Sequence, residues 1–242
     1  MPDTIHLRPT APLAERVLLP GDPGRALLLA QSLLDAPRMF NHNRGLWGYT
    51  GNAADGEPLS IQSTGIGGPS SAIVIAELVE LGAQRLLRVG TCGGLDGSLV
   101  FGELLIASSA ISDDGASRAL SGGGETVPAS PLLLDALLAA SGGEVRCGPV
   151  VTTDLFYDGP EDSEQRWLAA GALAVEMETA TLFALAARRG FEAGSLLIVT
   201  DLLVPSRRRI AEDRLRTAER RLGELAARAL GAGAAGPEIA RG

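Results

Sequence analysis

The stretch RLLRVGTCGG, residues 85–94, decides the fold. Leu86, Leu87 and Val89 surround Arg88, and Gly90, Thr91, Gly93 and Gly94 follow. A short apolar run ending in glycines reads as a strand buried on both faces, the kind found in sheets covered by helices. A guanidinium inside such a strand loses its hydration and needs a partner. Two partners would serve: a bound phosphate-like anion, or a buried carboxylate in a structural ion pair.

Strand-like and helix-like segments alternate on either side of this strand. RVLLPGDPGRALLLAQSLL (16–34) reads as a strand, a Gly/Pro turn and a helix from Pro23. LSIQSTGIGGPSSAIVIAELVELG (59–82) repeats the plan, with a strand near 59–63 and a helix that opens at Pro69 and stops at Gly82. GELLIASSAI (102–111) and VRCGPVVTTDLFY (145–157) are strand-like, and a helix is expected near 131–140. Residues 112–130 are polar and glycine-rich and suit a long surface loop. AVEMETATLFALAARRG (174–190) passes from a short strand into an amphipathic helix closed by Gly190. GSLLIVTDLL (194–203) is a last buried strand, and an Arg/Glu-rich helix runs from about Ile210 to Leu230. This order predicts one α/β domain over residues 1–231, a three-layer sandwich with a central mixed, mainly parallel sheet flanked by helices. Residues 232–242 are expected to form a frayed tail.

The composition narrows the function. The 242 residues include 29 Asp and Glu against 21 Lys and Arg, a net charge of −8. That balance argues against a nucleic-acid partner or an anionic membrane surface, so any anion site must be a local gathering of arginines. No apolar run approaches the length of a membrane span, and MPDTIHLRPT lacks the apolar run of a signal peptide, so the cytoplasm is expected. Cys92 and Cys147 form no metal or disulfide pattern, and each reads as a small, reduced, buried hydrophobe.

Ligands in such folds bind beyond the carboxyl ends of the strands. Five of these ends carry polar chemistry: Gly21, Asp22 and Arg25; Thr64, Gly65, Gly67 and Gly68; Arg88, Thr91, Gly93 and Gly94; Asp154, Phe156 and Tyr157; Thr200 and Asp201. If the strands lie side by side, two arginines, several hydroxyls and exposed N–H groups meet in one crevice suited to phosphate. Local structure explains some of the same residues. GDPGR also fits a turn with a helix start, Glu176 and Glu178 also suit a helix N-terminus, and Asp201 also suits a turn or N-cap. TGIGGPS lacks the GxGxxG register of a dinucleotide loop.

The ordered set LPGDPGRA, NRGLWGYTG, STGIGGPSSAIVIAELVELG, RVGTCGG, DLFY, VEMETATL and VTD resembles the hexameric nucleoside phosphorylases, the bacterial purine nucleoside and uridine phosphorylases. The resemblance runs from His6 to the last helix. It implies phosphorolysis of nucleosides, with inorganic phosphate as co-substrate and no metal or organic cofactor. It implies a homo-oligomer, a hexamer built as a trimer of dimers. By resemblance Gly21, Arg25, Arg88 and Thr91 bind phosphate, and Arg44 reaches the phosphate of the neighbouring subunit. His6 likewise crosses to the ribose 5′-hydroxyl, Met177 and Glu178 hold the ribose, and Phe156 stacks near the base.

The resemblance is mixed as to the base. STGIGGPSS, EMETATL and Thr91 look like uridine enzymes, but these bind uracil through a Gln and an Arg shortly after the FY pair. Here those positions hold Pro160 and Asp162, and neither offers the missing donors. Purine enzymes place a Ser-Asp pair after the last strand, which Thr200 and Asp201 match. Purine phosphorolysis is therefore the expectation, with Asp201 as general acid toward N7 and Arg214, in AEDRLRT, assisting it. Uridine phosphorolysis is the alternative. A hydrolase of the same superfamily would not need Arg25, Arg44 and Arg88, and a silent binding protein would not need Asp201.

Overall fold

The structure, a computed structural model, describes residues 4–124, 126–203 and 206–232. In chain order the elements are β1 (Arg16–Leu19), α1 (Pro23–Leu33), β2 (Asp35–Asn41), β3 (Gly48–Asn52), β4 (Pro58–Gln62), α2 (Gly68–Glu80), β5 (Arg85–Gly94) and β6 (Leu104–Asp113). There follow α3 (Gly115–Ser121), β7 (Thr126–Pro128), α4 (Pro131–Ser141), β8 (Arg146–Thr153), α5 (Ser163–Ala169), β9 (Ala174–Glu176), α6 (Thr179–Arg189), β10 (Glu192–Leu202), β11 (Arg208–Arg209) and α7 (Glu212–Ala232).

The strands join in one mixed sheet. β5 is its hub, parallel to β1 on one side and to β10 over most of its length on the other. β1 continues through parallel β4 into the antiparallel pairs β4–β3 and β3–β2. From β10 the pairing passes to antiparallel β6, parallel β8, parallel β9 and back to the end of β5, so these five strands form a closed circuit of pairings.

Alternation along the hub strands fills two apolar clusters. Leu86 and Leu197 point into the cluster with Val74, Ile75 and Leu78 of α2 and Leu182 and Phe183 of α6. Leu87, Val89, Leu196 and Ile198 point into the cluster with Leu29 of α1, Leu133 and Leu137 of α4, and Leu222 and Leu225 of α7. Both faces of β5 and β10 are thus covered by helices, as the unbroken apolar runs require.

The helix starts follow local chemistry. Asp22 caps α1 by accepting from the Arg25 N–H at 2.8 Å, with Pro23 in the first turn. The α6 helix closes on Gly190 at φ +75°, a left-handed conformation that favours glycine. The stretch 112–130 departs from the expected long loop: it holds α3, capped by Asp114 through the Ser117 N–H at 2.8 Å, and β7, paired to β6. Its serines and glycines disguised a cap, a helix and a left-handed terminator at Gly122. The β2–β3 hairpin and α5 were not anticipated. Cys92 is buried as expected, but Cys147 is exposed, because alternate side chains of β8 face outward near the start of that strand. Among the described residues no helix is long and apolar enough to cross a membrane. The expected tail lies, beyond Ala232, outside the described residues.

Candidate active site

The strand ends meet at a cavity of about 1070 Å³, at the upper end of the range of small-molecule sites, roughly 300–1,000 Å³. Gly21, Arg25, Arg44, Arg88, Thr91, Phe156, Met177, Glu178, Thr200 and Asp201 all line it. Of the expected site residues, His6 and Arg214 lie outside its lining, as do Thr64, Gly67, Gly68, Gly94 and Asp154 of the strand ends.

Arg88 is 5% exposed, and it has found carboxylates. Its Nε donates to Glu176 Oε2 at 2.9 Å, and its Nη2 lies 2.6 Å from Glu178 Oε2. The structural ion pair is therefore real, yet the guanidinium also faces the cavity, and among the described residues its Nη1 makes no hydrogen bond. Gly90 makes room for it: a Cβ there would stand 2.6 Å from Arg88 Cζ. Burial opposes the charge on Arg88, but Glu178 and Glu176 together outweigh it and hold the guanidinium protonated.

The two glutamates divide their work. Glu176 accepts from the Glu178 and Thr179 N–H groups at 2.9 Å and from the Thr152 hydroxyl, so it satisfies the start of α6 while holding Arg88. Glu178 accepts from the Gly67 N–H at 2.5 Å, which ties α6 to the glycine loop before α2. Gly67 has φ +84°, which suits only glycine well. Burial pushes the Glu178 carboxyl above the ordinary carboxylate range, Glu176 adds to this, and Arg88 pulls the other way.

Arg25, also buried, donates from Nε to Glu219 Oε1 of α7 at 2.8 Å. Gly21 and Gly65 bring the β1 and β4 loops together through the Gly65 N–H and Gly21 carbonyl at 3.1 Å. Arg44 sits exposed at the rim in a left-handed conformation, φ +58°.

Asp201 occupies the other part of the cavity. It pairs with Gly93 in the β5–β10 ladder, three residues beyond Gly90, or roughly 10 Å along the strand. Its Oδ2 accepts from Thr200 Oγ1 at 2.9 Å and its Oδ1 from Arg207 Nε at 3.2 Å. Arg207 also lies over the Phe156 ring, 4.0 Å from its centroid, and Phe156 meets Tyr157 edge to face. The cation beside Asp201 is thus Arg207 and not Arg214, which is exposed on the first turns of α7. The family resemblance pointed to the last helix and spacing to Arg214, whereas antiparallel β11 folds the chain back against β10 and brings Arg207 to the acid. The run RRR at 207–209 was the available signal. Glu219 gave no sequence signal apart from its place in a charged helix.

Outside the cavity, Glu77 of α2 gathers the N-terminal segment. It accepts from the Leu7 N–H at 2.7 Å and the His6 N–H at 3.0 Å, and it lies 2.7 Å from His6 Nδ1. Of the two positions corresponding to the uracil-binding pair, Pro160 lines the cavity and Asp162 pairs with Arg166 at 3.3 Å.

Two buried arginines held by glutamates and a carboxylate beside an aromatic ring share one cavity at the ends of β1, β5 and β10 of an α/β scaffold. The phosphorylase superfamily profile matches residues 15–231, and the chain belongs to that family. It is 40% identical over 210 residues to a "Purine nucleoside phosphorylase DeoD-type" of Caldanaerobacter subterraneus subsp. tengcongensis, covering 85% of this chain and 90% of the relative. It is 39% identical to the protein of the same description in Alkaliphilus metalliredigens, with the same coverage. Against the one in Geobacillus kaustophilus it is 38% identical over 213 residues, 86% of this chain and 89% of the relative.

Proposed function

We propose that this chain catalyses the phosphorolysis of purine (deoxy)ribonucleosides, giving the free purine and (deoxy)ribose 1-phosphate, a purine-salvage reaction. One observation carries the reading: the guanidinium of Arg88, level with Gly90, and the carboxylate of Asp201, level with Gly93, face one cavity about 10 Å apart along the strand direction. That separation suits a pentose held between a phosphate and a base. Similarity to purine nucleoside phosphorylases over most of the chain supports it.

In this reading phosphate enters against Arg25, Arg88, Thr91 and the Gly21 backbone, with Arg44 closing from a neighbouring subunit. The cations hold the nucleophile in line with the anomeric carbon. Glu178 accepts from the ribose hydroxyls beside Met177, and Phe156 offers its ring to the base. As the glycosidic bond breaks, positive charge on the sugar is met by phosphate, and negative charge on the base by a proton from Asp201 to N7. The reaction needs no metal or organic cofactor.

The proposed assembly is a hexamer, a trimer of dimers in which His6 and Arg44 serve the partner's site. Its support is that Glu77 holds His6 away from this chain's own cavity, and that Ile5 and Ile66 stand exposed at 73% and 79%. Light scattering after size exclusion reports the assembly.

The test of function is an initial-rate panel of inosine, adenosine, guanosine and uridine, with and without phosphate, for the unaltered chain and Asp201→Ala. Phosphate-dependent purine release, reduced about 10²–10³-fold in the variant, is expected. Uridine as the preferred substrate, base release independent of phosphate, or binding without turnover would each replace the reading.

A further inference from the structure

The buried pair between Arg25 and Glu219 joins two segments 194 positions apart. It is set by helix packing. One turn beyond Arg25 on α1 stands Leu29, and one turn beyond Glu219 on α7 stands Gly223. A Cβ at Gly223 would lie 2.5 Å from Leu29 Cδ2, so the helices pack closely where α7 has no side chain. This contact fixes where Glu219 meets α1. Glu219 and Arg25 are 8% and 9% exposed, so neither owes its geometry to solvent.

The way Arg25 is held matters. Its backbone N–H is taken by Asp22 and its Nε by Glu219, while among the described residues its two Nη groups make no hydrogen bond and its side chain lines the cavity. A guanidinium gripped at Nε presents its Nη pair as a fixed fork, the geometry that matches a phosphate oxygen pair. Left ungripped, the same side chain would have to be ordered by the ligand, and that ordering weakens binding.

We propose that Glu219 is a positioning residue: from α7 it orients Arg25 for the phosphate co-substrate and so makes phosphate affinity depend on the docking of the last helix. The inference rests on the reading of Arg25 as a phosphate ligand. An opposing effect is built into the same pair, since the Glu219 carboxylate repels an incoming dianion. The proposal holds that orientation outweighs repulsion.

The two effects separate by substitution. Glu219→Gln keeps an oxygen for Arg25 Nε and removes the charge. Glu219→Asp keeps the charge and withdraws it beyond reach of Nε, and Glu219→Ala removes both. Initial rates with inosine as the fixed substrate, then phosphate as the fixed substrate, give both KM values. Glu219→Ala and Glu219→Asp should raise the phosphate KM about ten-fold with the inosine KM within about two-fold, and Glu219→Gln should keep the phosphate KM at or below that of the unaltered chain. If Glu219→Ala does not fold, the Asp and Gln variants carry the comparison. An unchanged or lowered phosphate KM in Glu219→Asp, a rise of equal size in Glu219→Gln, or parallel rises in both KM values would overturn the proposal. Turnover by the unaltered chain that ignores phosphate would instead defeat the phosphorylase reading.

Discussion

Arg88 and Glu178 form a buried ion pair, Nη2 to Oε2 at 2.6 Å, between the middle of β5 and the residue that opens α6. With Glu176 on the other side, one guanidinium is shared by two carboxylates. Removing it strands both acids. Arg88→Ala is expected to destabilise the fold by about 3–5 kcal/mol, read by chemical denaturation. A loss under about 1 kcal/mol would mean that water takes over the role of Arg88.

Gly90 should be intolerant for the same reason. In Gly90→Ala the new Cβ meets Arg88 Cζ at 2.6 Å, and the guanidinium is held on two sides and cannot step away freely. A cost of about 1–3 kcal/mol and a raised phosphate KM are expected, measured by denaturation and initial rates.

The choice between Arg207 and Arg214 is open to direct comparison. Arg207 touches both Asp201 and Phe156, whereas Arg214 is exposed. Arg207→Ala should lower kcat/KM for inosine about ten-fold or more, and Arg214→Ala by less. The reverse order would show that α7 moves Arg214 to the acid during turnover.

Glu178 predicts a pH dependence. Burial, with Glu176, raises its carboxyl above the ordinary range, and the proposed ribose contact needs the carboxylate. Activity should therefore fall with decreasing pH at a higher pH than an ordinary glutamate would dictate. The stability term has the opposite sign: the unfolded chain ionises first, so this group's contribution declines as pH rises from the unfolded to the raised value. A kcat/KM profile for inosine in which Glu178→Gln retains the acid limb would contradict the assignment.

Glu77 behaves in the other sense. Burial opposes its charge, but the Leu7 N–H and His6 outweigh that and hold its carboxyl below the usual value. A depressed folded value gives stability that is present above the unfolded value and lost as pH falls through the folded one. In Glu77→Ala the amides of Ile5, His6 and Leu7 lose their acceptor and should exchange with solvent faster, as hydrogen exchange would report.

Much of the scaffold could be read in the chain because its signals are local. Pro23, Pro69 and Pro131 mark helix starts, Gly82 and Gly190 mark ends, and the apolar runs at 86–89 and 196–199 mark strands buried twice over. Position at strand ends together with the family resemblance, which supplied Arg44, Met177 and Glu178, collected ten of the twelve expected site residues around one cavity. Among the misses, α3 lay inside a serine- and glycine-rich stretch whose composition resembled a loop while a cap formed a helix, and the β2–β3 hairpin and α5 were not anticipated.

Sequence by itself determined the alternating elements, the placement of arginines and acids at the strand ends, and the family. Those depend on caps, periodicity and side-chain type, which act within a turn or two of the chain. Only the tertiary structure decided that Arg88 sits between Glu176 and Glu178, that Arg207 reaches Asp201, and that Glu219 grips Arg25. Those partners are 88, 6 and 194 positions apart for Glu176, Arg207 and Glu219. Strand register, a chain reversal at β11 and the close approach of α7 to α1 select them, and the marks these leave nearby, Gly90, Gly223 and the run at 207–209, do not name the partner.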